Sequence, residues 1–171
     1  MRITEILSEE HQHILKVIEL LERECLVMEK GGKLREEFFH QAIKFIREYA
    51  DKFHHGKEEE VLFVELCKES TNMHCNPTYQ MRHEHDLGRG FVKEMEEGLR
   101  ARDNKKVISG AIGYAQLLRE HIYKEDNILY PMAEEALGET EKKELGLKFK
   151  EMDERNKKLG DAGLKIKEEL Q

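Results

Sequence analysis

The chain has 171 residues, the size of one ordinary domain, with 39% hydrophobic and 38% charged residues. A net charge of −7 argues against nucleic acid as the main partner, because binding phosphates needs a basic surface. No apolar stretch approaches the ~18 residues that span a bilayer, and the N-terminus has no signal-peptide core. Cys25, Cys67 and Cys75 lack CxxC spacing and indicate reduced thiols. We therefore expect a cytoplasmic protein without a membrane partner.

Helical periodicity predicts five helices in chain order. The first four cover about 4–30, 34–67, 77–102 and 105–137, and a charged fifth segment covers 140–170. Gly31-Gly32 and Gly138 are expected to end helices, and Asn76-Pro77 to begin one. Pro131 has no N–H and is expected to kink the fourth helix. Ile128 and Leu129 are expected to face inward on that helix.

Four long amphipathic helices with short connections are typical of an all-α, up-down-up-down four-helix bundle. We expect the bundle to occupy residues 1–138 and a C-terminal helical extension to occupy 139–171. The extension carries Leu145, Phe149, Met152 and Leu159 at helical spacing. These side chains either dock on the bundle or pair with another copy, which would give a homodimer through the C-terminal helix.

A motif of the second helix recurs in the fourth. His54-His-Gly-Lys-Glu58 and His121-Ile-Tyr-Lys-Glu125 each place a His and a Glu four residues apart, on one face of a helix. The first and third helices carry Glu10-His11 and Glu84-His85, and the two histidines lie in the apolar stripes of these helices. Each of the four helices therefore directs a histidine inward, and two of them add a carboxylate.

Buried carboxylates indicate a cation, because an unpaired ionised carboxylate in a core costs several kcal/mol. Four imidazoles and two carboxylates without thiolates are compatible with Fe, Mn or Zn, and they exceed what one zinc ion usually takes. Two ions with open positions would use every ligand, and two irons of this kind would suit O₂ or another small oxidant. The candidate ligands are His11, His54, Glu58, His85, His121 and Glu125.

These motifs, together with Glu84-His85-Asp-Leu-Gly-Arg89 and His121-x-x-x-Glu125-Asp126-x-x-Leu-Tyr-Pro, resemble those of the hemerythrin-like (HHE) family over about residues 3–137. The resemblance implies a bridged non-haem di-iron site that binds O₂. Relatives serve in oxygen carriage, in sensing of oxygen, redox state or iron, or in turnover of peroxide or nitric oxide.

The resemblance also implies roles for particular residues. It implies that His11 and His54 bind one iron, that His85 and His121 bind the other, and that Glu58 forms one bridge. For the second bridge the oxygen-carrier pattern selects Asp126 and the internal repeat selects Glu125. We favour Glu125, because Asp126 is rotated about 100° away.

Other polar residues near the motifs fall off the apolar stripes. His13, His55 and His83 are expected at the surface or behind the ligands, with His83 as the substitute if His85 is out of register. Glu59 and Glu60 are expected in solvent, and Tyr114 is expected to pack near the site. Two Glu-x-x-His patterns, at Glu10 and Glu37, would also suit a ferritin-like site but lie outside the stripes.

The third helix departs from the oxygen carriers, which place two histidines four residues apart there. Met81 and Arg89 flank His85 at that spacing, so one iron is expected to lack an imidazole. We therefore favour a di-iron protein for oxygen or redox sensing, storage or iron handling. The second hypothesis is an enzyme that reduces peroxide, nitric oxide or O₂, and the third is a helical interaction module with a structural metal.

Overall fold

The computed structural model describes residues 2–69, 71, 73 and 75–171. Met1, Ser70, Asn72 and His74 lie outside the described residues, and with them part of the predicted polar connection at 68–76. The described residues contain helices and connections but no strand. The five helices are α1 (Glu5–Glu29), α2 (36–66), α3 (Thr78–Ala101), α4 (104–136) and α5 (Glu139–Leu170).

Helices α1 to α4 form the predicted four-helix bundle. Helix α3 packs along α4, α4 along α1, and α2 lies between α1 and α3. The chain leaves α1 through Gly31, whose φ of +88° is readily adopted by glycine. Asp103 is the N-cap of helix α4, and its side chain accepts a hydrogen bond from the Lys106 amide at 3.1 Å. The all-α bundle with an additional C-terminal helix is confirmed, and no described helix is long and apolar enough to cross a membrane.

Two of the bundle helices contain π-helical segments. Helix α2 is π-helical over Ile46–His55 and Glu58–Leu62, and α4 is π-helical over Glu125–Leu129. A π-helix closes i→i+5 hydrogen bonds, so its turns are wider and successive side chains diverge by less than the 100° of an α-helix. The segment in α4 ends two residues before Pro131, whose missing N–H disturbs the hydrogen-bond ladder there.

The wider turn changes which residues of α4 face the core. Ile128, predicted to point inward, is exposed, whereas Leu129 and Tyr130 are buried. The prediction for Ile128 was wrong because it extended α-helical periodicity through the π-helical turn.

The core consists of two apolar clusters separated by a polar layer. One cluster extends from Ile14 to Met28 on α1 and from Phe38 to Ala50 on α2. The other includes Leu7 of α1 and residues 61–63 of α2. The histidine-bearing turns of all four bundle helices lie between the clusters, where neighbouring helices exclude solvent from them.

Helix α5 docks on the bundle, along α2 and α1. Its residues Leu145 and Phe149 join one apolar cluster, and Ile166 joins the other. Gly163 permits close packing, because a Cβ there would lie 2.6 Å from the Cβ of Tyr49. Since the apolar face of α5 is covered by its own chain, a homodimer through this helix would use its charged outer face. The dimer and the division of the chain at residue 138 remain predictions.

The docking of α5 predicts a contrast between two of its residues. Replacing the fully buried Phe149 with alanine should lower the free energy of unfolding by about 3–5 kcal/mol. Replacing Leu147, which is 62% exposed, should change it by less than about 0.5 kcal/mol. Urea unfolding followed by circular dichroism measures both, and equal effects would show that α5 is not held on the bundle in solution.

Candidate metal centre

The polar layer contains all six residues predicted as ligands. Each of them is at most 1% exposed, and they come from all four bundle helices. Together with His55, they form two groups, and within each group the potential ligand atoms lie within 4.8 Å of one another. The first group is His11, His54, Glu58 and Glu125, and the second is His55, Glu58, His85 and His121.

Two carboxylates connect the groups. Glu58 belongs to both. Glu125 Oε2 lies 3.3 Å from Nε2 of His11 in the first group and 3.1 Å from Nε2 of His121 in the second. Each carboxylate therefore faces histidines of both groups, which is the position that a bridging ligand requires.

His55 belongs to this layer, contrary to the prediction of a surface or outer residue. It is 4% exposed, and its ring stacks on that of His85 with 3.8 Å between centroids. It follows His54 directly at the end of the π-helical segment, where the smaller angle between successive side chains lets both rings face inward. The second group therefore contains three imidazoles, one from α2, one from α3 and one from α4.

The ring nitrogens facing away from the centre meet carboxylates. A carboxylate that accepts from Nδ1 fixes the ring and leaves Nε2 for the interior, as is usual for metal-binding histidines. The Nδ1–oxygen distances are 2.9 Å for His11–Asp126, 2.9 Å for His54–Glu10, 2.6 Å for His85–Glu59, 2.8 Å for His121–Glu84 and 3.5 Å for His55–Asp51.

These contacts also resolve where the alternative residues lie. Asp126 binds the outer nitrogen of His11, whereas Glu125 faces the interior. His83 is exposed and far less suited than His85 to an interior role. Glu59 was expected in solvent, but it accepts a hydrogen bond from His85 and another from Arg89. That expectation was wrong, because the fold brings α3 against the outer face of α2.

The interior atoms of this layer fit a cation. His54 Nε2, Glu58 Oε2 and both Glu125 oxygens are buried without a well-directed hydrogen bond. Unpaired buried polar atoms are costly, and protein structures contain few of them. Nitrogen and carboxylate donors that converge in this way are satisfied together by metal ions of the iron, manganese or zinc type.

A family model for the hemerythrin HHE cation binding domain matches residues 2–133. The chain belongs to the hemerythrin HHE cation-binding family. No curated protein and no solved structure matches it. The matched residues contain every histidine and carboxylate described above, whereas α5 lies beyond them.

In the absence of metal, protonated histidines compensate the negative charge of the buried carboxylates in this hemerythrin-family site. Burial lowers the pKa of His11, but Asp126 and Glu125 outweigh it and raise that pKa to about 9. In the same way Glu125 and Glu84 raise the pKa of His121 to about 10 despite burial. Burial dominates at His55 and lowers its pKa to about 3. The His55 ring is therefore neutral near pH 7, whereas a metal ion bound by His11 or His121 would have to displace a proton from each.

Tyr130 was missed as a site residue. Its hydroxyl donates to Glu58 Oε1 at 2.6 Å and lies 3.4 Å from His11 Nε2. Burial and the nearby Glu58 hold the pKa of Tyr130 well above its usual range, so the hydroxyl keeps its proton. The sequence feature that could have indicated Tyr130 as a site residue is its place in the Leu-Tyr-Pro motif. In the structure this residue directly follows the π-helical turn of α4.

A cavity of about 270 Å³ reaches the second group from the side of α2 and α3. His55 and His85 line it, and so does Tyr114, which was expected to pack near the site. Tyr114 is buried in the larger apolar cluster. Arg47, Lys52 and Arg89 also line the cavity, together with Asp51, which pairs with Arg89, so it combines an apolar wall with charged groups of both signs.

Proposed function

We propose that this chain binds two iron ions in the polar layer and takes up O₂ or a related small oxidant there. The observation that carries the proposal is the pair of overlapping histidine and carboxylate groups that share Glu58. Their mixed nitrogen and oxygen donors suit iron, and the family is named for cation binding. The physiological role would be oxygen or redox sensing, storage or iron handling.

The proposed ligand sets are unequal. His11 and His54 would bind one ion, while His55, His85 and His121 would bind the other, with Glu58 and Glu125 as bridges. The first ion then has four protein ligands and the second has five. Iron bound there would supply redox chemistry and open coordination positions, more of them at the first ion.

The protein's own residues prepare the side with fewer ligands. The Tyr130 hydroxyl lies beside His11 and Glu58 and retains a proton to donate. The two apolar clusters exclude bulk water on both sides of the layer. A small molecule arriving at this side would meet the Tyr130 hydroxyl among the imidazoles and carboxylates of the layer, in a site closed to bulk water.

Exposure of the reduced, iron-loaded protein to O₂ tests the proposed role. We expect an optical charge-transfer spectrum that changes on adding O₂ and returns on its removal or on re-reduction. A spectrum indifferent to O₂ would contradict the proposal and favour an interaction module with a structural metal. The zinc-loaded protein is the matched control, because zinc has no redox chemistry.

The cavity beside His55 and His85 favours a second candidate function. Its volume exceeds the space that a diatomic molecule needs, and a buried ligand ring forms part of its wall. The same centre would then act as an enzyme that reduces peroxide, nitric oxide or O₂. Repeated turnover of peroxide or nitric oxide in excess over iron would support this function, whereas a single stoichiometric oxidation would not.

The raised histidine pKa values predict proton release on metal binding. The pKa values of His11 and His121, about 9 and about 10, exceed the ordinary 6.5, so both rings are protonated at pH 7.5 without metal. Their contribution to stability is complete below pH 6.5 and is lost as the pH rises through 9 to 10. Metal uptake at pH 7.5 should therefore release about two protons per chain.

Calorimetric titrations with a metal ion in two buffers of different ionisation enthalpy measure this release. The same titrations at pH 10.5 serve as the control, since both rings are mostly neutral there and the release from them should fall well below one proton per chain. Metal affinity should rise with pH up to about 10. Uptake without proton release at pH 7.5 would show that the two histidines are neutral or do not bind metal.

A further inference from the structure

Lys57 of α2 is a fully buried cation (0% exposed). Its Nζ contacts a carboxylate oxygen of Glu10 on α1 and lies 2.7 Å from Asp153 Oδ1 on α5. The same ammonium group lies 3.9 Å from the centroid of the Phe53 ring. An ammonium group removed from water requires such partners, so Asp153 and Glu10 together determine where Lys57 is held.

Glu10 connects this cation to the metal centre. One of its oxygens contacts Lys57, and the other lies 2.9 Å from Nδ1 of His54. A continuous chain of charged and hydrogen-bonded groups therefore extends from Asp153 on α5, through Lys57 and Glu10, to a proposed metal ligand.

The other half of the centre repeats this arrangement without α5. Lys124 follows His121 by three residues, as Lys57 follows His54, and it contacts an oxygen of Glu84. The second oxygen of Glu84 lies 2.8 Å from Nδ1 of His121. In the described part of the chain, Glu84 is the one carboxylate paired with Lys124, whose side chain is 34% exposed. The α5 carboxylate thus distinguishes the first half, whereas in the second half Gln80 of α3 donates to the Glu84 oxygen that faces Lys124, at 2.9 Å.

We infer that α5 adjusts the His11/His54 half of the centre through Asp153, which acts as a positioning residue for His54. The inference rests on the proposed iron site and goes beyond it, because α5 lies outside the family match at residues 2–133. Asp153 shares the charge of Lys57 and so leaves Glu10 free to accept from His54. Without that charge, Lys57 pairs with Glu10 alone and weakens the hold of Glu10 on the imidazole, which becomes a poorer electron donor to metal.

Histidine ring ¹⁵N spectra of the metal-free protein give the first test. Asp153→Asn should shift the ring signals of His54 and leave those of His121 unchanged, while Lys124→Met should do the reverse. Glu154→Gln, which changes the exposed neighbouring carboxylate, is the matched control and should shift neither. Asp153→Glu retains the charge and should restore the wild-type signals of His54.

The iron-loaded protein gives the second test, by chelator competition and redox titration. Asp153→Asn should lower the affinity for one of the two irons about tenfold and raise the midpoint potential of that iron. A tenfold loss is the smallest effect expected when a hydrogen-bond partner of a metal ligand is removed. Unchanged His54 signals and potentials, with only a lower unfolding midpoint, would overturn the inference and reduce Asp153 to docking α5. If the wild-type protein takes up no iron, the proposed function fails, and the His54 signals still decide whether Asp153 is coupled to the site.

Discussion

Replacing Glu58 or Glu125 with alanine is expected to reduce bound iron from about two ions per chain to fewer than one. Both carboxylates are fully buried and each faces histidines of both groups, so either change removes a ligand from both proposed ions. The remaining histidines would also lose the negative charge that favours a cation. Iron content after aerobic purification and reconstitution, measured by elemental analysis, gives the result.

The control for these variants is Glu60→Ala. Glu60 lies on the same helix and pairs with Arg155 at the surface, so its loss should leave both irons in place. Glu59 is unsuitable as a neutral control, because it accepts from Nδ1 of His85 and its loss should weaken metal binding about 10- to 100-fold. Equal iron content in the Glu58, Glu125 and Glu60 variants would refute the bridging roles.

Replacing His55 with alanine is expected to lower the affinity for one of the two irons at least about tenfold and to leave the affinity for the other nearly unchanged. His55 lies with His85, His121 and Glu58 in one group and is absent from the other, so its removal should act on one ion only. Competition with a chelator that resolves two affinities measures this effect. Circular dichroism verifies that the helices persist.

His83→Ala is the matched control for His55, since His83 is exposed on the outer face of α3. It should leave both affinities unchanged. If the His55 variant binds both irons with unchanged affinity, His55 is not a ligand. The expectation from the sequence would then hold, namely that one iron lacks an imidazole because α3 supplies only His85.

Hydrophobic periodicity and the internal repeat predicted the bundle and located six inward-facing polar residues. The spacing of His54 to Glu58 and of His121 to Glu125 was sufficient for this, because side chains four residues apart stay on one helix face whichever neighbours pack there. The choice of Glu125 over Asp126 followed from the same spacing, and the structure places Asp126 behind His11.

The residues that sequence analysis placed wrongly or missed depend on tertiary structure. His55, Ile128 and Tyr130 all lie at or beside π-helical turns, where the α-helical angle of 100° per residue no longer holds. Glu59 was misplaced because its partners come from α3, far away in sequence. The link from Asp153 to Lys57 likewise depends on how α5 docks, which the charged sequence of that helix left open.

The most direct test of a bridged two-iron centre is a crystal structure of the iron-loaded chain with anomalous scattering at the iron edge. The structure predicts two iron peaks in the polar layer, one touching His11 and His54 and the other touching His55, His85 and His121. Both should contact Glu58 and Glu125. A single peak, or a second peak outside this layer, would contradict the account.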